Sequence, residues 1–207
     1  MPHAYLSRLT TPSVEDAQER YGSRDVLARY TAGSDQGDVL GGDEADFIAE
    51  RDTFFLATVG ESGWPYVQHR GGPPGFVRVL DGGAALAWAD VRGNRQYLSV
   101  GNLLTRPRVS LLFLDQAHAL RLKVLGTAEV RDVRDGDPSG FVDQLVVPDG
   151  RATVERVIRV QVQGWDWNCP QHITPRYTAA ELAPLHEEVA RLREEVRQLR
   201  SSAGRDA

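Results

Sequence analysis

The 207-residue chain is poor in cysteine. It has one, Cys169, so no intrachain disulfide can form and a reducing compartment is expected. It has no apolar run near the roughly 18 residues that span a bilayer. Its N-terminal stretch lacks both a positive n-region and an apolar h-region, so no signal peptide is expected and the predicted location is the cytoplasm. Basic charge is not in excess: 24 Lys and Arg stand against 29 Asp and Glu, for a net charge of -5. That argues against a nucleic-acid or anionic-membrane partner while leaving room for a local basic pocket. Also missing are G-x-G-x-x-G behind a strand, G-x-x-x-x-G-K-[ST] and G-x-S-x-G, so a Rossmann dehydrogenase, a P-loop enzyme and an α/β-hydrolase are not expected. The histidines are scattered, and the Cys169-x-x-His172 spacing has no second pair beside it, so no metal site is expected.

What is present suits one domain with appendages. Apolar residues make up 41% of the chain, enough at this length for a sizeable core. Residues 1–12 read as an extended lead-in. Ser13 and Asp16 resemble a capping box that would open a helix to about Tyr30, and the Gly-, Ser- and Asp-rich stretch from Ala32 to Gly42 reads as a loop. Asp43 would cap a short helix ending near Arg51. Short branched or alternating segments follow at 54–59, 64–69, 76–80, 84–89, 109–114, 121–130 and 157–164. Between them, Gly93-Asn94-Arg95-Gln96 is expected to open a helix through about Leu104. Seven short strands with tight turns and little helix between them predict a closed β-barrel, so the expected class is mainly β, with helices at both ends.

The predicted organisation is an N-terminal helical extension over 1–42, a barrel over 43–177 and an amphipathic helix over 178–207. In the tail, Thr178 and Glu181 form a capping box. Leu182, Leu185, Val189, Leu192, Val196 and Leu199 then recur at spacings of three and four, a heptad seam with Glu and Arg between. So short a seam is marginal alone and is expected to pack on the barrel or on a partner's equivalent. Pro184 fits only within the first turn or two of this helix.

Four segments carry groups suited to chemistry. In Gln68-His69-Arg70-Gly71-Gly72-Pro73-Pro74-Gly75 a strand delivers an arginine into a loop whose glycines let a ligand approach. A guanidinium fork suits phosphate, and a barrel corner with a solvated arginine is the plain alternative. Trp88-Ala89-Asp90-Val91-Arg92-Gly93-Asn94-Arg95-Gln96 runs from a strand into a helix start, where free N–H groups and the dipole favour anions. Arg121-Leu122-Lys123-Val124 puts two cations on one strand face, which taken alone reads as a solvated face. Trp165-Asp166-Trp167-Asn168-Cys169-Pro170-Gln171-His172 gathers groups able to stack and hydrogen-bond. Trp165 is expected to plug the barrel end. Trp167, Gln171 and His172 are expected at a pocket, with Trp167 and Gln171 as cofactor contacts and His172 as the candidate catalytic residue, because polar groups gain little from clustering in a plug.

Taken in order, five pieces carry a resemblance: Phe55-Leu56-Ala57-Thr58-Val59, Gly63-x-Pro65-x-Val67, Gly93-Asn94-Arg95-Gln96, Pro107-Arg108-Val109-Ser110-Leu111-Leu112-Phe113 and Gly126-x-Ala128-Glu129-Val130. Together they resemble the pyridoxamine 5'-phosphate oxidase-like family of FMN-binding split barrels, over about residues 45–177. More narrowly, the chain looks like a flavin-nucleotide-binding branch with the WDWNCPQHITPR-type ending. The resemblance implies a six-stranded barrel with FMN held at the interface of a homodimer. It implies an FMN-dependent oxidoreductase fed by a donor such as NAD(P)H, and two alternatives stand beside it. One is a flavin carrier or stress-related protein, the other a haem-binding split barrel with His69 or His172 as axial candidate.

On matching positions Gln68, His69 and Arg70 would lie beside the flavin and its phosphate, and Trp88 and Ala89 would line the isoalloxazine. Arg95 and Gln96 would fall on the basic pair that holds the phosphate, and Arg121 would stand near the ring edge. A cation such as Arg121 or Lys123 near N1 would stabilise the reduced flavin. Two departures matter. Gln96 stands where the family has a lysine, and WDWNCPQH replaces the segment that grips pyridoxamine phosphate. These weigh against vitamin B6 oxidation and leave FMN binding intact.

Overall fold

A computed structural model describes residues 4–31, 38–136, 145, 152–167, 169 and 171–203. The chain opens with helices α1 (Ala4–Leu9), α2 (Pro12–Arg20), α3 (Arg24–Thr31) and α4 (Gly42–Ala49). Strands β1 (Thr53–Val59), β2 (Pro65–Gly71), β3 (Arg78–Leu80) and β4 (Ala85–Val91) follow, then α5 (Leu98–Thr105), β5 (Arg108–Asp115), β6 (Leu120–Asp132), β7 (Val154–Trp167) and α6 (Ala179–Ala203).

The N-terminal region corrects two expectations. The extended lead-in is helix α1, which buries Ala4 and Tyr5. It lies so close on β7 that a Cβ at Gly164 would stand 2.7 Å from the Tyr5 backbone nitrogen, so only glycine fits there. The single helix expected from Ser13 to Tyr30 is two, because the chain turns through Tyr21 and Gly22, where Gly22 takes a φ of 77°. Pro12 at the first helical position starts α2, one residue ahead of Ser13.

All seven strands pair antiparallel, in the order β2-β1-β5-β6-β7-β4-β3. Alternate residues of β1, β5 and β6 (Phe54 and Leu56, Leu111 and Phe113, Leu122 and Val124) bury on one face. The closed barrel is a misreading: among the described residues β2 and β3 are free edges, and the strands number seven where the resemblance gave six. The sheet nonetheless curls. Four strand spacings separate β1 from β4, about 19 Å on a flat sheet, yet the Phe54 and Trp88 rings are 5.0 Å apart.

The curl is staggered. Register carries Arg70 to Leu122 of β6 through Phe54 and Phe113, whose rings lie 5.2 Å apart. It carries Asp90 to Asp132 of β6 through Arg156. Arg70 and Asp90 still face each other at 3.5 Å. The ends of the sheet therefore meet ten residues out of step along β6, from Leu122 to Asp132, the offset that tilts barrel strands. Between the pairs Leu125–Gly164 and Gly126–Val162 the register skips Gln163, a bulge that bends β7, and a Cβ at Gly126 would fall 2.3 Å from Val160 Cγ1.

The chain divides into two compact units, residues 1–115 with 120–170, and residues 116–119 with 171–207. The first holds α1 to α5 and the sheet. In the second, α6 opens on the expected capping box: Thr178 N donates to Glu181 Oε2 at 2.6 Å, and Glu181 N donates to Thr178 Oγ1 at 3.2 Å. Pro184 lies in the second turn of α6 and leaves the Ala180 carbonyl without its helical donor. Among the described residues, no helix is long and apolar enough to cross a membrane.

Candidate functional site

Strand alternation decides which residues of β2 can meet a ligand. Tyr66, Gln68 and Arg70 stand opposite Thr58, Leu56 and Phe54 and share their inward face. His69 points the other way, exposed, with its ring edge-on to Phe55 at 5.8 Å. The strand that brings Arg70 inward thus turns His69 outward.

Across the split, β4 leaves the core after Trp88 and presents Asp90, directly opposite Arg156 on β7. Arg156 Nε donates to Asp90 Oδ2 at 2.9 Å, and Arg70 Nη2 lies 3.5 Å from Asp90 Oδ1. Arg156 also lies over Tyr97, its Cζ 5.0 Å from the ring centre.

The loop between β4 and α5 delays the helix to Leu98, later than the expected start at Gly93. Asn94 Oδ1 accepts the Gln96 N–H at 3.0 Å, an Asx-type turn, and Arg95 and Tyr97 take φ values of 63° and 52°. Tyr97 ends the loop without a side-chain cap, and the first helical bond runs from Gly101 N to Tyr97 O. The N–H groups of Leu98, Ser99 and Val100 are therefore free of helical acceptors, at the positive end of the helix dipole.

These pieces enclose an open cleft of about 140 Å³, lined by Tyr66, Gln68 and Arg70 on one side and by Asp90, the 93–100 segment and Arg156 on the other. Three guanidiniums, from Arg70, Arg95 and Arg156, face one carboxylate, Asp90. The Nε of Arg70 is buried with no hydrogen-bond partner among the described residues. Arg95 is exposed and makes no ion pair there. Just outside, Glu155 accepts from Arg92 at 2.9 Å and from Arg156 at 2.8 Å, and these bonds, Arg92's first, hold its carboxyl below the usual carboxylate range. An excess of positive charge beside free helix N–H groups is the chemistry of an anion site, and a phosphate dianion matches it.

Of the residues proposed from sequence, Gln68, Arg70, Arg95 and Gln96 meet at this cleft. Others lie elsewhere. Trp88 is a core residue, 1% exposed and edge-on to Phe54, and Ala89 is buried against Leu145 and Val157. Both follow from β4 being covered on its two faces. Arg121 and Lys123 share the outer face of β6, as alternation requires. Arg121 donates to the Cys169 carbonyl at 3.2 Å, and Lys123 pairs with Asp166 at 2.7 Å beside the Tyr5 ring.

The two indoles at the end of β7 are tied to the chain that leads into the sheet. Trp165 Nε1 donates to the Val39 carbonyl at 2.9 Å. Trp167 Nε1 donates to Glu44 at 2.7 Å, and its ring meets Phe47 edge-on. Gln171 and His172 belong to the second unit and are exposed; Asn168 and Pro170 lie outside the described residues. Sequence reasoning missed Asp90, Tyr97 and Arg156 as site residues. Asp90 lay inside a quoted segment, but Arg156 is 66 positions away, and only the pairing of β4 with β7 joins them.

The sequence pattern described as pyridoxamine 5'-phosphate oxidase matches residues 40–161, more than half of the chain and all of the cleft. The chain belongs to this family. Among solved structures, HupZ of Group A Streptococcus is similar at 16% identity, over 67% of this chain and 100% of its own, with a TM-score of 0.49. A Clostridium acetobutylicum protein related to general stress protein 26 of B. subtilis is similar at 16% identity, over 68% and 94% of the two chains, with a TM-score of 0.43. An F420 reductase is similar at 20% identity, over 62% and 98%, with a TM-score of 0.41. No curated protein matches the chain. Membership places the chain among flavoprotein oxidoreductases at the level of the family, and the cleft lies within the matched segment.

Proposed function

We propose that the protein is an FMN-dependent oxidoreductase that works as a homodimer, with the cleft at the β2–β4 split holding the FMN phosphate. The observation that carries this reading is the convergence of Arg70, Arg95 and Arg156 on the uncapped N-terminus of α5, with Asp90 as the one carboxylate in the lining and Glu155 bonded to Arg156 at the rim. The buried, unpartnered Nε of Arg70 is a donor in search of an acceptor, and a phosphate oxygen satisfies it at little cost. Asp90 has the opposite task. It keeps Arg70 and Arg156 in place and offsets part of their charge, so that the site favours an anion without storing more repulsion than the fold can hold.

FMN, when bound, supplies the hydride and electron chemistry. The chain's own residues fix it. The guanidiniums and the N–H groups of α5 take the phosphate, and Tyr66 and Gln68, hydrogen-bonded to each other, continue the inward face of β2 beside it. A cleft of about 140 Å³ is below the roughly 300 Å³ where ligand pockets begin. It suits the phosphate end of the cofactor and leaves the ring system to be covered by further wall. The outer face of β1 and β2 supports a partner for that role: Phe55 and Val67 are 39% and 60% exposed on an edge of the sheet, the kind of apolar surface that marks an interface. Reducing equivalents would come from a nicotinamide donor.

The test is direct. Cofactor released by acid from purified protein should run as FMN, and NADH or NADPH should bleach the bound flavin once an acceptor is absent. Release of FAD, or no flavin after saturation with FMN, overturns the reading.

A further inference from the structure

Helix α6 shows its apolar seam to solvent. Leu185, Leu192 and Val196 are 58%, 45% and 47% exposed, and Leu182 and Val189 are half-buried. Written as heptads, the a positions are Leu182, Val189 and Val196, and the d positions are Leu185 and Leu192, continued in sequence by Leu199. Valine at two of the three a positions, with leucine at d, favours two strands where such helices pair in parallel.

The flanking charges choose the same partner. The g positions are Glu181, Glu188 and Glu195. The e positions are His186 and Arg193, with an arginine next in sequence at 200. In a parallel coil each g residue faces the e residue of the following heptad on the other chain, which sets Glu188 against the partner's Arg193 on both sides of the seam. In an antiparallel coil g faces g and e faces e, which sets glutamate against glutamate and arginine against arginine. Arg193 makes no ion pair among the described residues, whereas Glu188 and Glu195 are bridged along their own helix by Arg191, an exposed arrangement that exchanges easily. Glu181 is engaged in the cap, so the cross-pairs rest on the two heptads after it.

We propose that α6 is a dimerisation clasp that pairs in parallel and in register with α6 of a second copy of this chain. The proposal rests on the homodimer of the proposed function and adds its second contact. About two and a half heptads are marginal for two free helices. Tethered to barrels that already pair, the helices meet at high effective concentration, and the seam then closes at small cost. A parallel coil has its twofold along its own axis, so it closes a dimer without leaving a surface for further growth.

The experiment compares full-length variants by sedimentation equilibrium, with FMN content as a check that the fold is kept. Glu188→Arg alone, and Arg193→Glu alone, each set like charges together twice per dimer and should raise the dimer dissociation constant roughly tenfold. The double variant Glu188→Arg with Arg193→Glu restores opposite charges across a parallel seam and should return that constant to the parent value. A full-length parent that sediments as a monomer overturns both the clasp and the dimer. A dimer indifferent to all three variants, with FMN retained, overturns the clasp and leaves the cofactor reading standing. Single variants that weaken the dimer while the double variant fails to restore it overturn the parallel register.

Discussion

Arg70 and Arg121 look alike on paper and end in different places. Each stands on a strand of the same sheet, three strands apart, and each has a buried Nε with no hydrogen-bond partner among the described residues. Arg70 faces inward at the split, where Arg95, Arg156 and the first N–H groups of α5 converge on the same space. Arg121 faces outward, and its guanidinium holds the Cys169 carbonyl. The difference shows that a cation on a strand does not make a ligand site. Convergence does: several donors, little opposing charge and an opening, supplied here by an edge strand, a cross-strand pair and a helix start.

The comparison can be broken at its most buried point first. Asp90 is 5% exposed and lies between two guanidiniums, so Asp90→Asn leaves buried cations without their counter-charge. The cost should be about 3 kcal/mol, a fall in melting temperature of roughly 6–12 °C, visible by calorimetry. FMN should recover part of that loss, because its phosphate supplies the missing negative charge; a variant as stable as the parent would show that the pair is not structural.

Next comes the free cation of the cleft. Arg95→Ala should raise the FMN dissociation constant about ten- to hundredfold with no change in melting temperature, since Arg95 is exposed and makes no ion pair among the described residues. Arg92→Ala removes a residue paired with Glu155 outside the cleft and should change FMN affinity by no more than about threefold. Equal effects from Arg92 and Arg95, measured by fluorescence titration, would displace the phosphate from the 93–100 segment.

The smallest effect sharpens the far side of the comparison. Arg121→Ala should leave the phosphate's contribution to binding unchanged and show itself only in local stability around Cys169. Acid should also loosen the rim slightly. Glu155 is held below its ordinary range by Arg92 and Arg156, so its contribution is present above the unfolded-state carboxylate range and is lost as pH falls through the lowered value.

Much of the sheet was legible. The seven strand segments and the tight turns between them follow from period-two burial and turn chemistry, as the pairing of Val59 with Pro65 and of Leu80 with Ala85 shows. What escaped was set at a distance or by a few dihedral angles. Closure could not be read, because it depends on β2 and β3 failing to meet. The start of α5 slid four residues past Asn94, because one side chain took the Gln96 N–H and two residues went left-handed. The family resemblance grouped Gln68, His69 and Arg70, and the alternation of β2 separates them, turning His69 to the face away from the other two. Trp88 reads as a ring-lining aromatic in sequence and as core once Phe54 packs on it.

The central claim is that the cleft recognises a phosphate, and the most direct measurement is the affinity of the apoprotein for FMN against riboflavin, which differ only in that group. The account predicts that FMN binds at least about a hundredfold more tightly, and that this ratio collapses in Arg95→Ala and persists in Arg121→Ala. Equal affinities for the two flavins in the parent protein, or a ratio untouched by Arg95→Ala, would contradict it.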